Sequence, residues 1–172
     1  MIHLERLGPA HGPQLLAGQD HALAAEIVGR RWTPELLDAF LERAARWRAD
    51  GPCREYAAVS TDAAAAPVLR GGGGITLLGP GLARGEAALT YWVLRAHRRR
   101  GTGGQIAAAL VERARAEPRI DRLVLRIAPG NTASWAVARS LGARETAHRE
   151  RHPADASRQV TRWVLDLRPA GR

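Results

Sequence analysis

Residues 91–104 read Tyr91-Trp92-Val93-Leu94-Arg95-Ala96-His97-Arg98-Arg99-Arg100-Gly101-Thr102-Gly103-Gly104. An apolar strand runs into basic residues and then into glycines. A periodic run follows, in which Ile106, Leu110, Val111 and Ala114 share one helical face. The pattern is strand, tight loop, helix. The first turn of a helix carries unpaired N–H groups and a partial positive charge. Glycines at 101, 103 and 104 let a ligand approach that backbone closely, and the guanidinium groups of Arg98, Arg99 and Arg100 match phosphate oxygens. The stretch reads as a seat for a phosphate-bearing ligand. A dinucleotide fingerprint would need Gly-x-Gly-x-x-Gly, which Gly101-Thr102-Gly103-Gly104 does not supply. A Walker loop would need a lysine, and the chain has none.

The composition limits what surrounds this loop. The chain has 172 residues, 45% of them apolar, which suits one core. Its formal charge is +9 and every Lys/Arg position is Arg, so anionic partners are favoured. The single cysteine, Cys53, excludes an internal disulfide and suits a reducing cytoplasm. The N-terminal residues lack the continuous apolar stretch of a secretory signal, and no run approaches a membrane span.

Upstream of the loop, Ile2–Leu7 alternates as a first strand, and Gln14–Arg31 is expected to be helical with Leu15, Leu16, Leu23 and Ile27 on its apolar face. A second helix starts with Thr33 as cap and Pro34 in the first turn, buries Leu37, Phe40, Leu41, Ala44 and Ala45, and is stopped by Gly51-Pro52. Arg54–Ser60 and Val68–Leu78 read as strands joined by a turn at 61–67. The four glycines Gly71–Gly74 inside the latter are read as a bulge or hairpin bend, because no capped helix follows them to make a phosphate loop. Glu86–Leu94 pairs back. Downstream come a helix over 103–116 broken by Pro118, a strand carrying Leu123, Leu125 and Ile127, a short helix from Asn131 to Leu141, and a closing strand pair, Arg144–Glu150 and Gln159–Leu167. Strands before the basic loop and strand–helix alternation after it give an α/β fold with a mixed sheet. With no internal repeat and no long linker, residues 1–172 are expected to form a single domain.

Arg98-x-x-Gly101-x-Gly103 resembles the acyl-CoA pyrophosphate loop, (Gln/Arg)-x-x-Gly-x-(Gly/Ala), of the GCN5-related N-acetyltransferase (GNAT) family. Two companions flank it. Leu89-Thr90-Tyr91-Trp92 is similar to the Leu-Gly-Tyr-Trp strand of the branch that acetylates ribosomal-protein N-termini. Asn131-Thr132-Ala133-Ser134, followed by Leu141-Gly142-Ala143-Arg144, is similar to that branch's Asn-x-x-Ser … Leu-Gly-Phe-Arg. The resemblance implies a mixed, mostly antiparallel sheet flanked by helices and splayed open at the acyl-CoA site. It implies acetyl-CoA as cosubstrate, no metal, and transfer of the acetyl group directly to a primary amine of a protein N-terminus or a small molecule.

Carried onto this chain, the resemblance places the backbone N–H groups of Val93 and Leu94 near the acetyl carbonyl. The pyrophosphate falls on the loop of Arg98, Arg99, Arg100, Gly101, Thr102, Gly103 and Gly104. Asn131, Ser134, Trp135 and Ala138 share one face of the later helix. Asn131 could reach the pantetheine amides or simply cap its helix. Position 138, where many members carry a tyrosine acid, is alanine here, as in the ribosomal-protein branch, where a serine at the position of Ser134 is thought to serve. The usual strand glutamate falls on Ala88. Glu86, two residues earlier and on the same strand face, is the expected replacement base, directly or through water. Solvent is the alternative, because α-amines titrate near 8. Glu145 and His148 are outsiders.

Other chemistries fare poorly. The chain lacks a Gly-x-Ser-x-Gly elbow. His148 and His152 have helical metal spacing but lie in a segment read as strand, without a third ligand. The five tryptophans do not group into a stacking platform for nucleic acid. Three rivals stay open: acetylation of small amines such as aminoglycosides, a ribosome- or nucleic-acid-binding module, and an acyl-CoA-binding fold without catalysis. A monomer and a homodimer are both expected to be compatible with this reading.

Overall fold

The computed structural model describes residues 2–27, 31–61, 66–153 and 155–168. Seven strands form one sheet: β1 (Ile2–Arg6), β2 (Cys53–Ser60), β3 (Val68–Thr76), β4 (Glu86–Val93), β5 (Arg122–Ile127), β6 (Arg144–His152) and β7 (Asp155–Asp166), in the order β1-β2-β3-β4-β5-β7-β6. All neighbours pair antiparallel except β4 and β5. Among the described residues five α-helices cover it: α1 (Gly12–Gly18), α2 (His21–Ile27), α3 (Pro34–Ala45), α4 (Thr102–Arg115) and α5 (Thr132–Ser140). The mixed sheet expected from the strand order is what forms, and it is mostly antiparallel, as the resemblance implies.

Period-2 alternation along β4 divides the core. Ala87 and Leu89 face the α4 side and pack with Ile106, Leu110, Val111 and Ala114, the helical face foreseen from their spacing. Trp92 turns the other way and joins Leu15, Leu37 and Leu41 from α1 and α3. Each fully buried leucine or isoleucine contributes roughly 1.5–3 kcal/mol, so both layers hold the sheet firmly. Thr33 caps α3 by accepting from the Leu36 N–H at 3.4 Å, with Pro34 in the first turn, as expected.

The first long helix is two. Gly18 lies against Leu94, where an added Cβ would come within 3.0 Å of Cδ1. The chain then extends through Gln19, and the Asp20 carboxylate accepts from the Leu23 N–H at 2.8 Å to start α2 afresh. Residues 28–30 of the expected Gln14–Arg31 helix, and 62–65 of the expected turn, lie outside the described residues. The closing hairpin is longer than its apolar pattern, because β6 is mostly exposed and carries little hydrophobic signal.

The glycine run is not a bend. Gly71–Gly74 pair regularly on both sides within β3, and the register slips beside the run, where Arg70 bulges opposite Ala58 and Val59. A Cβ on Gly71 would lie 2.8 Å from Ile106 Cδ1, and one on Gly73 would lie 2.6 Å from Leu110 Cδ1, so α4 rests directly on strand backbone. On the opposite face the Trp92 indole occupies the space above Gly72 (2.5 Å), and the Glu55 carboxylate that above Gly74 (2.7 Å). Four consecutive glycines serve four close approaches.

Candidate active site

β4 and β5 begin side by side and then part. Their parallel pairing is limited to Glu86–Arg122, Ala87–Leu123 and Ala88–Val124. Beyond Ala88, β4 keeps β3 on one side and has an open edge on the other, while β5 continues with β7. The backbone N–H of Leu94 bonds the Arg70 carbonyl at 3.0 Å. In an antiparallel ladder alternate residues point their N–H groups to opposite sides, so Val93 and Tyr91 direct theirs to the gap. The Val93 N–H is thus free of the β3 ladder, whereas the Leu94 N–H is used within the sheet and its side chain is buried, so Leu94 does not offer its N–H to a ligand there.

At the end of β4 the chain turns sharply into α4 through two left-handed residues, Arg99 (φ 59°) and Gly101 (φ 74°). The first helical bond runs from the Gln105 N–H to the Gly101 carbonyl at 3.1 Å, and Gly101 offers no side-chain cap. Among the described residues, the N–H groups of Thr102, Gly103 and Gly104 have no acceptor. Apart from the adjoining backbone, no atom lies within 4 Å of where a Cβ would stand on Gly101 or Gly104. These are the features of an anion seat: orphan donors, a helix dipole and unobstructed backbone.

Arg98 has a different task from the one foreseen. Its guanidinium grips Asp20 through both terminal nitrogens, at 2.7 and 2.9 Å, and donates to the Val93 carbonyl at 3.0 Å. The Arg98 hydrogen bonds, opposed by burial, bring the Asp20 carboxyl down to about 2. Arg98 thus fastens the loop to the start of α2 rather than offering its fork to phosphate. Arg99 and Arg100 stay exposed at the loop.

A cavity of about 420 Å³ runs through the strand gap. Asn131 and Ser134 of the α5 start line it together with Tyr91 and Leu125. From the opposite sheet face come Ala88, Thr90, Trp92 and Glu55, joined by Trp32 and Phe40, whose rings tilt against each other at 4.9 Å between centroids. Asn131 Oδ1 accepts from the Ser134 N–H at 3.1 Å, so the capping role is realised and it fixes Ser134 in the first turn. The Tyr91 hydroxyl donates to Ser134 Oγ at 3.1 Å. Strand periodicity alone does not reveal a hydroxyl reaching a helix forty-three residues away.

Glu86 lies elsewhere, which corrects the expectation that it replaces the missing base. It borders a separate hollow with Arg122, Arg144, His148 and Arg162. It bonds Arg162 at 2.6 Å, faces Arg122 at 3.7 Å and accepts from the Ala83 N–H at 3.0 Å. Burial pushes its carboxyl up, but the Ala83 N–H and the two arginines outweigh that and hold it below the usual range. Such a group holds a proton poorly near neutrality. Glu145 and His148 sit on the exposed hairpin strand β6. The cavity's own carboxylate is Glu55, which the sequence reading passed over. Burial raises it to about 7, outweighing the hydrogen bond from the Cys53 thiol, which lowers it. Among the described residues, no group of three or more His, Cys, Asp or Glu side chains could hold a metal ion.

The sequence model of the acetyltransferase (GNAT) domain matches residues 2–144. The chain belongs to the GNAT acetyltransferase family. The GNAT assignment makes it an N-acetyltransferase whose acetyl donor is acetyl-CoA, and the anion seat and open strand edge suit that donor. No curated protein matches the sequence closely enough to count as a relative. Among solved structures, the GNAT fold is shared with spermidine N-acetyltransferase from Vibrio cholerae, in complex with CoA and spermine (TM-score 0.75, 12% identity, 96% of this chain and 95% of that one). It is shared also with RimL, a ribosomal L7/L12 α-N-protein acetyltransferase in complex with coenzyme A (TM-score 0.76, 17% identity, 96% and 93%). A third is ribosomal-protein-alanine N-acetyltransferase from Brucella melitensis (TM-score 0.69, 23% identity, 95% and 99%).

Proposed function

We propose that the whole chain, as one domain, transfers the acetyl group of acetyl-CoA to the α-amine of a peptide or protein N-terminus in the cytoplasm. The observation that carries this reading is the cavity's charge. Among the described residues its lining holds a single carboxylate, Glu55, with His152 and mostly aromatic and aliphatic side chains; the one guanidinium among them, Arg126, is neutralised by Glu150 at 3.0 Å. One acid suits one amine. A polyamine or aminoglycoside presents several cations and would leave all but one unpaired in an apolar space, at a cost of several kcal/mol each. The chain's +9 charge further suits acceptors displayed on nucleic-acid-rich surfaces such as the ribosome. Among the described residues, no helix is long and apolar enough to cross a membrane.

In this reading the N–H groups of 102–104 hold the pyrophosphate, with Arg99 and Arg100 adding charge. Asn131, through its amide nitrogen, and Val93, through its backbone N–H, hold the pantetheine arm and the acetyl carbonyl, and Ser134 protonates the leaving sulfur. A second reading, acetylation of a small monoamine with an aromatic body, draws on the cavity volume of about 420 Å³, within the usual small-molecule range. Thiol release from acetyl-CoA should be followed with Ala- and Ser-initiated peptides, phenethylamine, spermidine and an aminoglycoside, and the modified atom located by mass spectrometry. The expected outcome is α-amine acetylation of the peptides at least tenfold faster, by kcat/KM, than either polycation (about 1.4 kcal/mol). Preferred turnover of spermidine or the aminoglycoside would contradict the reading.

A further inference from the structure

We propose that Glu55 is the group that takes the proton from the acceptor amine. The inference rests on reading the cavity as the meeting place of amine and acetyl donor, and it assigns a base where the family's β4 position holds Ala88. Three observations converge. Glu55 lines the same cavity as Ser134 and Asn131, from the opposite face of the sheet. Its carboxylate lies over Gly74, within 2.7–2.8 Å of where a Cβ would stand. Gly74 is flanked in register by Glu55 on one side and by Thr90 on the other, so the absent side chain lets the carboxylate lean across β3 toward β4 and the strand gap. Finally, no cation pairs with it among the described residues; its sole hydrogen-bond partner is the Cys53 thiol at 3.7 Å.

Other titratable groups share its strand face or stand across the cavity. Cys53, on the same strand face, is held up chiefly by burial. Farther along this face, Glu5 is engaged by His11 at 2.8 Å and by His3 at 3.4 Å. Across the cavity stand His152, Tyr91 and the Arg126–Glu150 pair. β3 and β4 offer no ionisable side chain on the Glu55 face next to it: Thr76, Gly74, Gly72, Ala88, Thr90 and Trp92. A carboxyl near 7 is within about one unit of an α-amine at roughly 7.7–8.0, so transfer between them is nearly balanced at neutral pH.

The step balances. The ammonium gives one proton to the Glu55 carboxylate, and the freed nitrogen lone pair forms the C–N bond to the thioester carbonyl carbon. The C–S bond breaks with its electron pair on sulfur, which takes a proton from Ser134. The amine's second proton, lost as the intermediate collapses, restores Ser134. Glu55 returns its proton to solvent.

Two variants test this. Glu55→Gln keeps the shape and removes the base. Gly74→Ala keeps the carboxylate but pushes this flexible end aside. The measurements are kcat/KM against pH with an Ala-initiated peptide, and acetyl-CoA affinity by calorimetry. Wild type should show an acidic limb with an apparent pKa near 7. Glu55→Gln should lose the limb near 7, keep only the acceptor amine's own titration near 8, and lose about 100-fold in kcat/KM at neutral pH. Gly74→Ala should lose about tenfold, and both should bind acetyl-CoA as wild type does. Retention of the limb near 7 in Glu55→Gln would overturn the proposal, as would a raised KM with unchanged kcat, the mark of a mere cation anchor. Wild type inactive on every monoamine at every pH would instead overturn the reading of the cavity, and the proposal with it.

Discussion

Gly103→Val should lower acetyl-CoA affinity about 100-fold, close to 2.7 kcal/mol, without unfolding the protein. A Cβ at this position would stand 3.2 Å from the Tyr91 ring and 3.6 Å from Val93 Cγ2. Branched methyls need more room than that, so the first turn of α4 must lift away from β4. The lift moves the three orphan N–H groups that the anion seat depends on, and a charge-assisted hydrogen bond fails within a few tenths of an ångström. Arg98→Ala should act more gently, about tenfold, because it loosens the loop from Asp20 instead of deleting a phosphate contact. Calorimetry with acetyl-CoA reads both effects, and thermal melting shows that the fold is retained. Unchanged affinity in a folded Gly103→Val protein would remove the α4 N-terminus from the binding site.

Ser134→Ala should lower kcat by roughly 10²–10³-fold while leaving KM for acetyl-CoA within about threefold. An isolated serine is a weak acid. Here the Tyr91 hydroxyl donates to Ser134 Oγ at 3.1 Å, and Ser134 sits in the first turn of α5, at the positive end of its dipole. Both stabilise the oxygen as it gives its proton to the sulfur, and both act mainly in the transition state. Tyr91→Phe removes one of these supports and should cost about tenfold in kcat. Steady-state kinetics that show equal losses in kcat and in acetyl-CoA affinity for Ser134→Ala would assign the serine to binding instead.

The parts of this protein that were readable in one dimension are those carried by local pattern. The strand–loop–helix at 91–104, the α4 face and the Thr33 cap all follow from spacing within a few residues, and all formed. Asn131 and Ser134 were placed together because three residues on a helix start have fixed geometry. The errors share a physical origin in long-range register. Glu86 and Ala88 do share a strand face, yet Arg122 and Arg162 from β5 and β7 capture the carboxylate, and no periodicity in β4 announces that. Arg98 was one arginine of three until Asp20 arrived from seventy-eight residues away. Glu55 escaped notice because its meaning lies in Gly74: the glycine run is intelligible only once β2, β3 and β4 are aligned and α4 is laid over them.

The structure of the protein with coenzyme A bound is the most direct measurement of how the donor is held. The expected result has pyrophosphate oxygens about 3 Å from the N–H groups of Thr102, Gly103 and Gly104. The pantetheine arm should run along the open edge of β4 past Val93, and the thiol should end beside Ser134 in the cavity that Glu55 faces. A pyrophosphate seated away from the start of α4, or a thiol in the hollow bordered by Glu86 and Arg162, would contradict it.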